Sequence, residues 1–219
     1  MIITIDGPAG VGKSTVAKLL AARLGFLYLD TGALYRAVAW KVLKAGISPT
    51  DQERIKTLLG TTSLEIQFHN SAMRVLIDGR DVTSELRTPE VSATASHVSA
   101  IPAVREWLLP IQRQVGERGS VVAEGRDIGT TIFPTATLKF FLDADARVRA
   151  ERRHRELVAA GHVGAIETTY RDLSRRDTQD RTRSIAPLVP AADARSIDTS
   201  NLDVEQVVEQ MLAVVSAVL

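Results

Sequence analysis

The sequence of 219 residues contains no cysteine, and this absence excludes disulfides, a zinc site with thiolate ligands and a cysteine nucleophile. An excess of charge of one sign is also lacking, because 27 basic and 26 acidic side chains leave a formal net charge of +1. Without a positive excess, binding to nucleic acid or to a membrane surface is disfavoured. Apolar runs that fit a signal peptide or a membrane span are absent too. These absences predict a soluble, cytoplasmic protein without a nucleic-acid or membrane partner.

Lysine is scarce, with 6 residues against 21 arginines. Coding bias is one explanation, since alanine is abundant at 27 residues. A phosphate-binding role is the other, because the planar guanidinium binds phosphate through two parallel hydrogen bonds. Ten of the arginines lie between Arg147 and Arg183, in a predicted helical hairpin that also contains Gly161 and Gly164. Six acids share that stretch, so a solvated charged surface is the alternative to a mobile lid.

Strand and helix patterns alternate along most of the chain. Ile2 to Ile5 form a short apolar run before a glycine loop and a helical pattern, and Phe26 to Leu29 form another before a second helix. Such alternation predicts an α/β fold with a parallel core sheet flanked by helices. Later segments continue it, with predicted strands at 121–123, 138–142 and 195–198 and predicted helices at 101–116, 144–160 and 204–218. We expect Ser200 or Asn201 to cap the last helix.

Residues 62–86 interrupt this alternation. Leu64, Ile66 and Phe68 alternate with polar residues, which is the period of a strand with one buried face. Asp78-Gly79 then predicts a tight turn. The segment therefore predicts a small antiparallel β insertion.

The segment GPAGVGKS at residues 7–14 matches the phosphate-loop pattern G-x-x-x-x-G-K-[ST] between a predicted strand and a predicted helix. Its glycines let consecutive N–H groups turn inward, and the helix N-terminus adds a positive dipole, so the segment forms an anion cradle. Lys13 supplies charge for the outer phosphates, and Ser14 offers its hydroxyl to the Mg²⁺ that a nucleoside triphosphate carries. With ATP as the phosphoryl donor, the expected nucleotide-binding residues are Gly7, Ala9, Gly10, Val11, Gly12, Lys13, Ser14 and Thr15.

Two missing motifs narrow the reaction class. The sequence has neither N-K-x-D, which recognises guanine, nor the D-x-x-G switch, so it lacks two parts of a signalling GTPase. It is also short for an ATPase motor. A small phosphotransferase is the class that remains.

Four separated blocks resemble the bacterial cytidylate kinases, a family of P-loop nucleoside monophosphate kinases. The blocks are DGPAGVGKST at 6–15, LDTGALYR at 29–36, EGRDIGTTIFP at 124–134 and RDTQDRTRSIAPLVPAADA at 176–194. The antiparallel insertion is similar to that family's monophosphate-binding domain, while Glu124 stands where the family often has Asp. The resemblance covers nearly the whole chain. It implies transfer of the γ-phosphoryl group of ATP to CMP or dCMP, in pyrimidine nucleotide metabolism, with an Arg-rich lid over the site.

On this basis we expect three domains. The core would comprise residues 1–31, 116–148 and 184–219, the monophosphate-binding domain 32–115, and the lid 149–183. The resemblance assigns the acceptor phosphate to Arg36 and Arg126, places Arg183 near the transferring groups and puts Arg153 on the lid. The expected catalytic residues are therefore Lys13, Arg126, Arg183 and Arg153.

The resemblance also assigns the nucleoside. Arg176 and Asp180 would contact the ribose, with Asp30, Thr31 and Tyr35 in the same region; the alternative for Asp180 is an ion pair with Arg176 or Arg183. Ser96, Arg105 and Asp127 would read the base. Cytosine presents an exocyclic amine beside acceptor atoms, which suits a carboxylate together with donors. Uracil has a carbonyl where cytosine has that amine, and a carboxylate would leave this oxygen without a donor.

Several alternatives stay open at this point. A kinase for UMP, AMP or shikimate is one rival, and a nucleotide-binding regulatory module without turnover is another. The four histidines lack metal-ligand spacing, and Trp40 and Trp107 lie in helical apolar patterns typical of a core. A monomer is expected.

Overall fold

The computed structural model describes residues 1–69 and 72–218, and the chain divides into two units. The first unit contains Met1–Gly25 and Val122–Leu219, and the second contains Phe26–Val121. The phosphate loop lies in the first unit and the predicted insertion in the second. The three expected domains, with a separate lid at 149–183, stay a prediction.

The first unit is built around parallel strands. Its elements, numbered in chain order with those of the second unit, are β1 (Ile2–Asp6), α1 (Lys13–Leu24), β6 (Val121–Gly125), β7 (Leu138–Asp143), α6 (Ala146–Ala159), α7 (Ile166–Thr182), β8 (Arg195–Asp198) and α8 (Val204–Ser216). Their strand order is β6-β1-β7-β8, and the β1/β7 and β7/β8 pairs are parallel. Ile3, Ile5 and Phe140 are almost fully buried, as expected for strands covered on both faces. The predicted α/β class with a parallel core sheet is confirmed.

The start of the last helix differs from the prediction. Asp203, rather than Ser200 or Asn201, caps α8, and its carboxylate accepts a hydrogen bond from the Gln206 N–H at 2.9 Å. The Gln206 side chain accepts the Asp203 N–H in return, at 3.0 Å. This reciprocal capping box satisfies two backbone donors at once, which a lone serine or asparagine does not do. Ser200 instead donates its hydroxyl to Asp198.

The second unit combines helices with a small antiparallel sheet. Its elements are β2 (Leu27–Asp30), α2 (Thr31–Lys44), α3 (Gln52–Leu59), β3 (Leu64–His69), β4 (Ala72–Ile77), β5 (Arg80–Asp81), α4 (Pro89–Val98) and α5 (Pro102–Glu117). The order β3-β4-β5 with antiparallel pairing confirms the predicted insertion. Asp78 and Gly79 have φ of 50° and 77°, the left-handed pair that a two-residue hairpin turn requires. Helix α3 was not predicted, since only Ile55 and Leu59 among its eight residues are buried.

The two tryptophans differ in burial. Trp40 on α2 is buried, and its indole N–H donates to the Glu85 carboxylate at 3.0 Å. Trp107 on α5 is half-buried. Among the described residues, no helix has both the length and the apolar character needed to span a membrane.

Candidate active site

The phosphate loop of the first unit lies in close contact with its neighbours. At Gly7, with φ 150°, an added Cβ would lie 2.1 Å from the Leu142 carbonyl oxygen. At Gly10, with φ 75°, it would lie 2.8 Å from the Arg149 carbonyl oxygen. Gly12 forms the N-cap of α1 in the left-handed region and contributes no capping side chain. The backbone N–H groups of the first turn are therefore available to an anion, as the sequence predicts.

Lys13 is a buried cation at the start of α1, with 6% of its surface exposed. Its ammonium donates to the Pro8 carbonyl oxygen at 2.6 Å, across the loop itself. Burial, followed by the charge of Arg126, lowers the pKa of Lys13 from its ordinary value of 10.5 to about 7. A phosphate at this position would favour the charged form. The cradle and its buried cation therefore fit a polyphosphate.

Asp6 lies directly before the loop, at the end of β1, and is buried. Its two carboxylate oxygens accept the backbone N–H groups of Ile128 at 2.9 Å and Gly129 at 2.8 Å. Burial raises the pKa of Asp6 to about 6, although these two hydrogen bonds act in the opposite direction. The strand that begins the phosphate loop is thus bonded to the segment after Asp127.

Two arginines of the first unit pair with two acids. The Arg126 Nε donates to Asp180 at 2.9 Å, and an Arg183 NH2 group donates to Asp127 at 3.1 Å. Asp127, Asp180 and the Arg183 side chain are all more than nine-tenths buried. Burial raises the pKa of Asp180, but the nearby charges of Arg126 and Arg176 outweigh it and leave that pKa below its usual range. Asp180 therefore pairs with Arg126, a partner that the sequence analysis did not name, while Arg183, one of the two partners that it named, lies 4.0 Å away.

Helices α6 and α7 are joined to the loop by a residue that the sequence did not single out. Arg149 is buried, and its guanidinium donates to the carbonyl oxygens of Ala144 at 3.1 Å and Ala9 at 3.2 Å. It also forms an ion pair with the buried Asp177 of α7. Arg153 pairs instead with Glu156 along α6, at 2.8 Å, and is partly exposed.

The second unit presents its own set of site residues. Asp30 caps α2 through the Ala33 N–H at 2.9 Å and pairs with Arg36 at 2.7 Å, while Arg87 lies 3.6 Å from the same carboxylate. The Arg36 Nε is buried without a hydrogen-bond partner among the described residues, which suits an additional anionic acceptor. Thr31, another predicted site residue, is buried at the first position of α2.

The expected base-reading residues of this unit also lie near one another. The Arg105 guanidinium lies 5.6 Å from the centre of the Tyr35 ring. It donates to the Ser99 carbonyl oxygen at 3.2 Å. The Ser99 hydroxyl in turn donates to the carbonyl oxygen of Ser96, on α4, at 3.0 Å. Three of the sequence-predicted residues are therefore brought together on α2, α4 and α5.

The histidines and Ser14 were the residues considered for metal binding. Within residues 1–69 and 72–218, no group of three His, Asp or Glu side chains is arranged to hold an ion. His69, His97 and His162 are exposed and His154 is half-buried. Ser14, in the first turn of α1, is half-buried.

Comparison with known proteins decides the family. A family model described as cytidylate kinase matches residues 3–217. The chain belongs to the cytidylate kinase family. It is 48% identical over 215 residues to a cytidylate kinase of Carboxydothermus hydrogenoformans, covering 98% of this chain and 97% of that one. It is 49% identical over 216 residues to one of Pelotomaculum thermopropionicum, covering 98% and 96%.

Solved structures agree on the fold. A gluconokinase from Sinorhizobium meliloti superposes with a TM-score of 0.51 at 16% identity, covering 99% of this chain and 91% of that one. An uncharacterized protein from Eubacterium ventriosum gives 0.54 at 14% identity, covering 99% and 98%. At such identities the likeness concerns the fold alone.

The sequence patterns did not predict the site contacts of four residues, Asp6, Arg87, Arg149 and Asp177. A signal existed for Asp6, because an acid ends an otherwise apolar strand directly before the glycine loop. Arg149 and Ala150 are the buried residues of α6, but Arg149 is one of several arginines along this helix. The pattern alone does not distinguish it from its neighbours.

The lowered pKa of Lys13 predicts a pH-dependent stability difference. Between pH 7 and pH 10 the unfolded chain keeps the Lys13 proton and the ligand-free folded protein has lost it, so stability rises with pH by about 1.4 kcal/mol per unit from this group. Lys13→Met removes the buried charge. It should therefore be stabilising at pH 6, by up to about 5 kcal/mol, and lose this advantage by pH 10. Urea unfolding across this range measures the difference.

Lys18→Met is the matched control, because Lys18 is an exposed lysine on the same helix. Its stability difference from the wild type should stay constant from pH 6 to pH 10. If the stability difference between Lys13→Met and the wild type were equally independent of pH, burial would not lower the pKa of Lys13.

Proposed function

We propose that this protein is an ATP-dependent (d)CMP kinase, which transfers the γ-phosphoryl group of ATP to CMP or dCMP and gives ADP with CDP or dCDP. The observation that carries the proposal is the family match over residues 3–217, joined to a phosphate loop whose buried Lys13 lies beside the charged cluster of Arg126, Asp127, Asp180 and Arg183. The reaction belongs to pyrimidine nucleotide metabolism. Location in the cytoplasm and a monomeric state stay predictions of the sequence.

The donor ATP would bind the phosphate loop. Backbone N–H groups of residues 7–15 would hold its phosphates, and Lys13 would add positive charge where negative charge develops on the transferring group. The Ser14 hydroxyl would hold Mg²⁺, which neutralises charge on the β- and γ-phosphate oxygens. Burial disfavours the charged form of Lys13 in the ligand-free protein. A bound phosphate would favour that charged form and would attract the ammonium.

The acceptor phosphate would bind Arg36 and Arg126. Its attacking oxygen is already anionic, so no general base is needed, and the obstacle is repulsion between two polyanions. Arg36 has a buried Nε available for this contact, and Arg126 has donors besides the Nε that pairs with Asp180. Arg183 would stabilise the transferring group, with Arg153 as a further cation. Catalysis then consists of positioning and charge stabilisation.

The nucleoside would be recognised through its base and its ribose. Asp127 would accept the cytosine amine, while Arg105 and Ser96 would donate to its acceptor atoms. Arg176 and Asp180 would contact the ribose hydroxyls, and Asp30, Thr31 and Tyr35 would also bind the substrate. Arg153 lies on α6 and Arg176 on α7, and residues 149–183 would act as a lid that excludes water.

A coupled ADP-release assay tests the activity. The purified protein is given ATP and Mg²⁺ with CMP, dCMP, UMP, AMP or shikimate, and rapid turnover is expected for CMP or dCMP. Lys13→Ala should lower kcat at least 100-fold with the fold intact, because a transition-state charge contact of about 3 kcal/mol is lost. A faster reaction with shikimate or AMP than with CMP or dCMP would refute the proposed acceptor. Near-normal turnover of Lys13→Ala would refute the assignment of the phosphate loop as the ATP site.

Base selection by Asp127 gives a second test. In the wild type, the uracil carbonyl would face a carboxylate and stay unsatisfied, at a cost of about 2 to 4 kcal/mol. Asn can present either an oxygen or an amide group. Asp127→Asn should therefore weaken CMP use and narrow the CMP:UMP ratio of kcat/KM about tenfold or more.

Glu209→Gln makes the same carboxylate-to-amide change at an exposed position of α8 and should leave both rates and their ratio unchanged. If Asp127→Asn also disturbed phosphate binding by the neighbouring Arg126, kcat/KM would fall by the same factor for CMP and for UMP. A constant ratio with both rates reduced would show that Asp127 orients its neighbours and does not read the base.

A further inference from the structure

We infer that Asp6 is a positioning residue for the acceptor site: its carboxylate holds the backbone that carries Arg126 and Asp127 in the geometry that CMP requires. The inference rests on the proposed function. The two Asp6 oxygens accept the backbone N–H groups of Ile128 at 2.9 Å and Gly129 at 2.8 Å. These hydrogen bonds do not involve any residue that is proposed to bind CMP. Its effect on the substrate would therefore be indirect.

The backbone after Asp127 explains why an acceptor is needed there. Residues Ile128–Ile132 form a π-helical turn, in which the N–H groups of Thr131 and Ile132 both donate to the Asp127 carbonyl oxygen, at 2.9 and 3.3 Å. The N–H groups of Ile128 and Gly129 come at the start of this turn, where no earlier carbonyl can accept them. Asp6 supplies the missing acceptor. The Asp127 backbone is thereby held by its carbonyl and by the two amides that follow it.

Close packing at Gly129 supports the same arrangement. A Cβ added at Gly129 would lie 2.9 Å from the Thr4 hydroxyl, 3.1 Å from Lys139 Cδ and 3.4 Å from Asp6 Oδ2. Thr4 precedes Asp6 by two positions on β1, so both side chains lie on one face of the strand, and Thr4 pairs in register with Lys139 of β7. Glycine at this position lets the turn approach that face closely enough for hydrogen bonds to the carboxylate.

Two ion pairs depend on the position of this segment. Arg126 reaches Asp180 and Asp127 reaches Arg183, at 2.9 and 3.1 Å, from adjacent residues of one short stretch. A shift of the turn away from β1 would move both side chains together, and small misplacements of binding groups cause large losses of rate. A carboxylate suits the task because it accepts at both oxygens, whereas an amide has one acceptor and would present its NH₂ group to the other N–H.

Asp6→Asn tests the inference with the full-length protein. We expect CMP KM to rise at least tenfold and the CMP:UMP ratio of kcat/KM to narrow about tenfold, while ATP KM changes less than threefold. Thr4→Val is the matched control, because the Thr4 hydroxyl is buried on the same face and has no hydrogen-bond partner among the described residues. It should leave all three quantities within twofold of the wild type.

Gly129→Ala perturbs the same contact from the other side and leaves the charge of Asp6 in place. It should reproduce the pattern of Asp6→Asn, and the double variant should be little worse than either single one, because both act through one contact. Circular dichroism confirms that each variant is folded. If neither folds, Asp6 is a purely structural residue and the inference is wrong.

The remaining outcomes separate the inference from the proposed function. A wild-type protein without preference for CMP over UMP would refute the proposed function. A wild-type protein with that preference, whose Asp6→Asn variant keeps both CMP KM and the CMP:UMP ratio, would overturn only the positioning role. A change confined to ATP KM would likewise overturn it, since Asp6 would then serve the donor loop alone.

Discussion

Charge buried at the carboxyl end of the first unit's parallel strands is the constraint on which the site depends. Lys13, Asp6 and Asp180 each have 6% or less of their surface exposed, so none can rely on water to stabilise its charge. Each is met by a specific partner: the Pro8 carbonyl oxygen for Lys13, two backbone amides for Asp6 and Arg126 for Asp180. These pairings require the loops to adopt one arrangement, because any other would leave a buried charge without a partner.

In the proposed mechanism, the same pairings prepare the protein for anionic substrates. Lys13 is held where its charge is unfavourable until phosphate arrives, and Arg126 and Arg183 are held beside acids. Groups fixed in this way need little reorganisation when charge develops on a transferring phosphoryl group, which is the main source of catalysis in such sites. In the second unit, Asp30 plays the corresponding part for Arg36, through an ion pair of 2.7 Å. In each unit, an arginine that the proposed mechanism uses is therefore held beside an acid.

Local patterns allowed much of this to be predicted. The glycine loop, the alternating strands and helices and the insertion with its Asp78-Gly79 turn each depend on neighbours in sequence, and the structure contains all of them. The predicted N-cap of α8 was wrong. Ser200, Asn201 and Asp203 all precede that helix, and the choice among them depends on the reciprocal hydrogen bonds with Gln206. The roles of Asp6 and Arg149 depend on partners 122 and 140 positions away, which no local pattern reveals. Which acids pair with Arg126 and Arg183 is likewise a consequence of the tertiary fold.

Carbon-13 NMR of the aspartate carboxyl groups in the ligand-free protein tests this account most directly, with Asp6→Asn and Asp180→Asn used to assign the two signals. Both carboxyls are buried, but only Asp180 has arginines beside it. The account predicts that Asp6 titrates near pH 6, well above the ordinary value of 3.8, and that Asp180 titrates below that value. Titration of both groups near pH 4 would contradict it, because the two charges would then be solvated like those of surface residues.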